Sequence, residues 1–122
     1  MKKLSIAVAL VMGVFVIPSA YGADAPAVDG CAVGPQHCKI LKEDSKFRVV
    51  DYTAKKGDKV AMHSHPAHVI YVIEGGKTKF TMPDGTSKEI DAKAGEAMIN
   101  PATTHSSDHL TDIHVVIVEM KP

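Results

Sequence analysis

His63-Ser64-His65-Pro66-Ala67-His68-Val69-Ile70-Tyr71-Val72-Ile73 is the stretch on which the fold turns. A His-x-His pair on an extended strand carries both imidazoles on one face, because side chains alternate with period two. The apolar run that follows reads as a second strand. Six of the seven histidines lie between residues 63 and 114. Neighbouring neutral imidazoles are the arrangement a divalent transition metal needs. The stretch therefore predicts a metal site on a β scaffold, and says less about the use of the metal.

Working outward, the chain reads as short strands broken by turn chemistry. Strands are predicted over 47–52, 59–64, 69–74, 77–82, 87–92, 96–100 and 112–120, with a hairpin turn at Pro83-Asp84-Gly85-Thr86. The last run is almost wholly β-branched, as suits a strand covered on both sides. No window after the leader shows a helical period, and no repeat is visible. Many short strands with Gly, Pro and Asp-Gly turns predict a β-sandwich or small barrel.

The first residues read as a targeting segment. Met1-Lys2-Lys3 is basic, 4–17 is almost unbroken apolar sequence, and Ala20 and Gly22 stand at −3 and −1 of a cut after Gly22. This is the layout of a secretory signal peptide, an uncleaved anchor being the alternative. The expectation is a soluble periplasmic or secreted protein. Without Lys2 and Lys3, 12 basic residues (14 − 2) face 14 acidic ones, so the processed chain carries a formal charge of −2. No basic run exists beyond Lys55-Lys56, which sets nucleic-acid binding aside. Residues 23–46 read as an N-terminal arm holding the only cysteines, Cys31 and Cys38. Six residues separate them, unlike redox or zinc motifs, and a structural disulfide is expected. A thiol pair in redox or metal chemistry, with His37 beside it, is the alternative.

Gly57, then His63-Ser64-His65 after five residues, then Tyr71-Val72-Ile73-Glu74-Gly75 resembles the first motif of the cupins, and Gly95 with Pro101 and His105 resembles the second. The resemblance covers roughly 47–120. It implies an all-β, single-domain cupin-type β-barrel, the double-stranded β-helix or jelly roll, over that range. It also implies that His63, His65 and His105 bind a metal. Two departures matter. Counting back from Gly75 puts His68 where the family has a glutamate; anchoring on Gly76 puts Val69 there instead. In the second motif Thr103 stands for Gly and His109 for Asn. His68 is taken as a fourth or alternate ligand on the first alignment. The cofactor expected is one divalent transition metal: Fe, Zn, Ni, Cu or Mn. An all-histidine set adds no ligand charge, so the metal would keep its full charge towards an anionic or enolate-like substrate. Binding should weaken as pH falls through roughly 6, where imidazoles protonate.

Three functions compete: a small-molecule dioxygenase or isomerase, a non-catalytic periplasmic module binding a metal or small ligand, and a metal-free dimeric scaffold. No catalytic acid, base or Arg clamp is visible beside the ligands, and the only arginine, Arg48, has no role at this stage. The expected partner is a small molecule, with no nucleic acid and no membrane after processing; a homodimer is a family expectation. His114 is expected in the core, His109 and His37 in loops, with His109 able to reach the mouth of the site, Tyr71 facing away from the barrel, Glu74 exposed, and Met62, Phe80, Met82 and Met98 filling the core.

Overall fold

The computed structural model describes residues 28–122; the expected leader over 1–22 and the start of the arm, 23–27, lie outside the described residues. Nine strands are described: β1 Cys38–Glu43, β2 Phe47–Ala54, β3 Lys59–His65, β4 His68–Glu74, β5 Gly76–Thr81, β6 Ser87–Ala92, β7 Ala97–Asn100, β8 Thr103–His109 and β9 Ile113–Met120. They form two antiparallel sheets, in the orders β1-β2-β9-β4-β7 and β3-β8-β5-β6. This is an all-β jelly roll. Among the described residues no helix is long and apolar enough to cross a membrane.

Alternation decides what each strand buries. On β9, Ile113, Val115 and Ile117 face inward and join Val50 and Ala54 of β2, Val72 of β4 and Ala92 of β6 in one core cluster. Each fully buried Val or Ile contributes roughly 1.5–3 kcal/mol through lost apolar exposure. The outer side of β9 is only half-buried, so the strand is not covered on both faces as expected. His114 lies on that outer side, hydrogen-bonded to Asp51 Oδ1 at 2.5 Å. Its even-numbered register with Val116 and Val118 holds, but their shared face is not the core.

Turn chemistry behaves as the sequence suggests. In the β5–β6 hairpin, Gly85 takes a φ of +86° and Asp84 Oδ1 accepts from Thr86 N at 2.9 Å. Gly57 and Gly95, the first residues of the two cupin-like motifs, also lie at positive φ, +89° and +84°. A Cβ there would meet nothing within 4 Å, so these glycines serve backbone conformation alone.

The segment expected as an extended arm holds structure of its own. Asp29 caps the single helical turn α1, Gly30–Val33, through Cys31 N, and a 3-10 turn follows at Pro35–His37. Cys31 and Cys38 are disulfide-bonded, with Cα atoms 5.6 Å apart. β1 then adds antiparallel to β2 at the sheet edge. Ser64 N donates to Val28 O at 2.7 Å, tying the start of this segment to β3. β8 was not foreseen either: it pairs with β3 and β5 in the middle of the second sheet.

Candidate metal centre

Five strands from both sheets deliver the site. On β3, His63 and His65 share a face, and His63 stands opposite His105 of β8. One ring nitrogen from each of His63, His65 and His105 lies within 4.8 Å of the other two. His68 opens β4 in the other sheet, 3% exposed, with its ring centroid 4.9 Å from that of His65. Its cross-strand neighbour is Glu119 of β9, and the neighbour of Glu119 on the far side is Arg48 of β2. Charge and imidazole thus form one row across the inner face of the sheet.

Hydrogen bonds fix which nitrogens are free. His63 Nδ1 donates to Ala61 O at 2.7 Å, His68 Nδ1 to Pro66 O at 2.8 Å, and His65 Nδ1 to Glu119 Oε1 at 3.0 Å. A carbonyl or carboxylate only accepts, so each ring carries a proton on Nδ1, and in the neutral imidazole Nε2 then holds the lone pair. This is the outer support that metal-ligating histidines ordinarily have. His105 instead packs against Phe80, ring centroids 4.6 Å apart. The donor set fits a transition metal: neutral nitrogens, oriented from behind, and no carboxylate among them.

Burial keeps His63, His68 and His105 neutral. It pushes His63 and His68 down despite their carbonyl partners. Burial, with the neighbouring imidazoles, lowers His105 to about 3. Burial pushes the Glu119 carboxyl up, but hydrogen bonds from His65 and Arg48 outweigh it and hold the group below its ordinary range. Arg48 Nε donates to Glu119 Oε2 at 2.8 Å. Its two terminal nitrogens grip the Asp29 carboxylate at 2.8 and 2.6 Å. The only arginine therefore clamps the capping residue of α1 to the carboxylate behind His65.

Gly30 shows how closely α1 sits on the site: a Cβ there would lie 2.9 Å from His63 Cδ2 and 3.3 Å from His65 Cε1. Behind the histidines runs a cavity of about 290 Å³, lined among others by Ile70, Phe80, Met82, Met98 and Glu119. Phe80 and Met82 thus form cavity wall, while Met98 both lines the cavity and packs against the core cluster as expected. Met62 does neither; it is 40% exposed. Tyr71 and Glu74 face outward as expected. His37 and His109 are not loop side chains: both are 5% exposed. Sequence reasoning missed Asp29, Gly30, Arg48 and Glu119 as members of the site. Glu119 had a signal: it continues the inward series Ile113, Val115, Ile117, and a lone acid on a buried face requires a partner.

A jelly roll with a His-x-His strand facing a third histidine on a partner strand defines the class, and similar solved structures agree. A cupin domain from Bordetella pertussis Tohama I is 18% identical with a TM-score of 0.62, over 70% of this chain and 92% of that one. A cupin superfamily protein from Desulfitobacterium hafniense DCB-2 gives a TM-score of 0.56 at 11% identity, over 70% and 76%. An RmlC-like cupin from Desulfovibrio desulfuricans is 24% identical, with a TM-score of 0.51 over 85% and 96%. No protein-family profile and no curated protein matches the chain. The chain has the cupin fold.

Proposed function

We propose that this protein is a metal-dependent cupin, in which His63, His65 and His105, with His68 as fourth or alternate ligand, hold one divalent transition metal from the group Fe, Zn, Ni, Cu and Mn. The observation that carries the reading is the set of three Nδ1 protons fixed by Ala61, Pro66 and Glu119, which makes Nε2 the ligating atom of the neutral ring at His63, His68 and His65. A metal held there supplies Lewis acidity, and with iron or copper redox chemistry, to a small molecule in the cavity. The apolar side chains Ile70, Phe80, Met82 and Met98 would pack on its carbon skeleton, and the histidines would orient the bound group. The enzymatic form of this reading is a small-molecule dioxygenase or isomerase.

One observation favours the non-catalytic alternative, a periplasmic module that binds a metal or small ligand. Glu119, the carboxylate beside the histidines, is engaged at once by His65 and Arg48, which removes it as a free general base. Export is supported by the apolar leader in the sequence and by the disulfide. A homodimer is supported by the outer apolar side chains Tyr71, Ile73 and Ile99, which are 51%, 46% and 84% exposed. Sizing of the purified protein checks it.

Metal content of protein purified from its native compartment, followed by calorimetric titration of the stripped protein, tests the main reading. One equivalent of metal, with binding abolished by His105→Ala, is expected. Wild-type protein that takes up no metal overturns it. Oxygen consumption with a candidate substrate separates the enzyme from the binding module.

A further inference from the structure

The cavity has a second polar end that the metal reading does not use. On β8, Thr103, His105, Ser107 and His109 all face the cavity. At about 3.4 Å per residue, the Cα atoms of His105 and His109 stand about 14 Å apart. His109 Nε2 is 2.8 Å from Tyr52 Oη and its Nδ1 is 3.1 Å from Thr78 Oγ1. The ring of His37 lies behind Tyr52, centroids 5.6 Å apart, and hydrogen-bonds to Thr53 O. Tyr52, Thr78 and His109 also line the cavity.

Counting protons shows what this end offers. Burial lowers the His109 imidazole, so it is neutral and carries one N–H. With the two hydroxyls, the group holds three protons and uses two of them in its two internal hydrogen bonds. Whichever tautomer His109 adopts, one hydroxyl proton remains to be donated. With hydrogen on His109 Nε2 that proton is Tyr52's, and with hydrogen on Nδ1 it is Thr78's. Thr78 is only 2% exposed and Tyr52 is less deeply buried, so the donor role is assigned to Tyr52 in the Nε2–H tautomer. An anion is disfavoured here: Asp58 Oδ2 lies 3.9 Å from His37 Nδ1, just behind. The other end has the opposite character. Lys88 lines the cavity there, paired across the strands with Phe80, which packs on His105.

We propose that the cavity takes a small bifunctional molecule: an anionic oxygen donor, carboxylate or enolate, at the histidine end, an apolar middle, and a neutral carbonyl oxygen that accepts a hydrogen bond from Tyr52 Oη. The first end rests on the metal reading above; the Tyr52 end does not. A volume of about 290 Å³ sits at the small end of ligand pockets, which suits a short keto acid.

The test compares 5-oxohexanoate with its near-isostere 5-methylhexanoate, titrated into zinc-loaded protein. Burying a carbonyl without a donor is unfavourable, so a purely apolar cavity prefers the methyl compound. Wild type is expected to prefer the keto acid by about fivefold, the factor typical of one neutral hydrogen bond. Tyr52→Phe, with zinc affinity unchanged, should reverse the order. Tighter or equal binding of 5-methylhexanoate by wild type, or no binding of either, overturns the inference. A second measurement needs neither metal nor variant: the infrared carbonyl band of 2-hexanone bound to metal-free wild type should shift to lower frequency than in hexane. An unshifted band overturns the Tyr52 assignment. Failure of zinc binding with a shifted band removes the metal reading and the anionic end that rests on it, leaving the Tyr52 end; zinc binding without ketone preference removes the Tyr52 end and leaves the metal reading.

Discussion

Glu119 Oε1 accepts the Nδ1 proton of His65 across 3.0 Å, from a carboxylate only 5% exposed. A buried carboxylate in that place orients the ring and raises the basicity of its other nitrogen. The charge is tolerated because Arg48 meets the second oxygen.

Glu119→Gln keeps the shape and an acceptor for His65 but removes the charge. Metal affinity should fall by about 10- to 100-fold, the usual cost of losing such an outer partner. Competition with a chromogenic chelator measures it. An unchanged affinity means the carboxylate serves Arg48 and the fold, not the metal.

Gly30→Ala places a methyl 2.9 Å from His63 Cδ2, and that ring cannot swing away without breaking its bond to Ala61 O. Zinc affinity should drop on the order of tenfold. Stability should change little, since the gain of up to about 1 kcal/mol from alanine over glycine in a helical turn opposes the cost of the contact with His63. Thermal melts of the metal-free variant beside zinc titrations separate the two effects.

The pH dependence of metal-free stability follows from burial of His63, His68 and His105, whose folded pKa values lie below the ordinary 6.5. Between the folded and unfolded values the unfolded chain binds more protons, so stability rises with pH in that window. Stability should be full above about 6.5 and decline progressively as pH falls towards the His105 value of about 3. Glu119 and Asp29, both lowered, act with the same sign in the carboxylate range. Urea unfolding at pH 7.5, 6 and 5 reads the imidazole window; a flat profile contradicts neutral burial.

Removing the Cys31–Cys38 bond with a double Cys→Ser variant opens a loop of sequence separation 7. Loop entropy assigns such a bond about 2.5 kcal/mol. For a domain of this size each kcal/mol moves Tm by about 4–8 °C, so a loss of about 10–20 °C is expected. A loss below about 3 °C would mean that contacts already hold α1 in place.

Much of this was legible in the sequence because apolar alternation marks strands that face a core. β2, β4 and β9 announced themselves that way, and the His-x-His run announced β3. β8, Thr-Thr-His-Ser-Ser-Asp-His, has no apolar period, because the side it turns inward faces a polar site rather than a core. Its burial was invisible for the reason that it matters chemically. β1 escaped notice as an exposed edge strand. His37 and His109 read as loop residues because their polar neighbours resemble solvated sequence, whereas Tyr52, Thr53 and Thr78 satisfy them inside. The clamp of Arg48 on Glu119 and Asp29 joins residues 19 and 71 positions apart. No local pattern encodes such a meeting.

Because alternate residues of β8 furnish His105 at one end of the cavity and His109 at the other, the ruler between them is written into a single strand. Inserting or deleting one residue between these positions would turn one end of the set outward, since a one-residue slip exchanges the two faces. Along a regular strand the reach of the pocket is therefore set in steps of two residues.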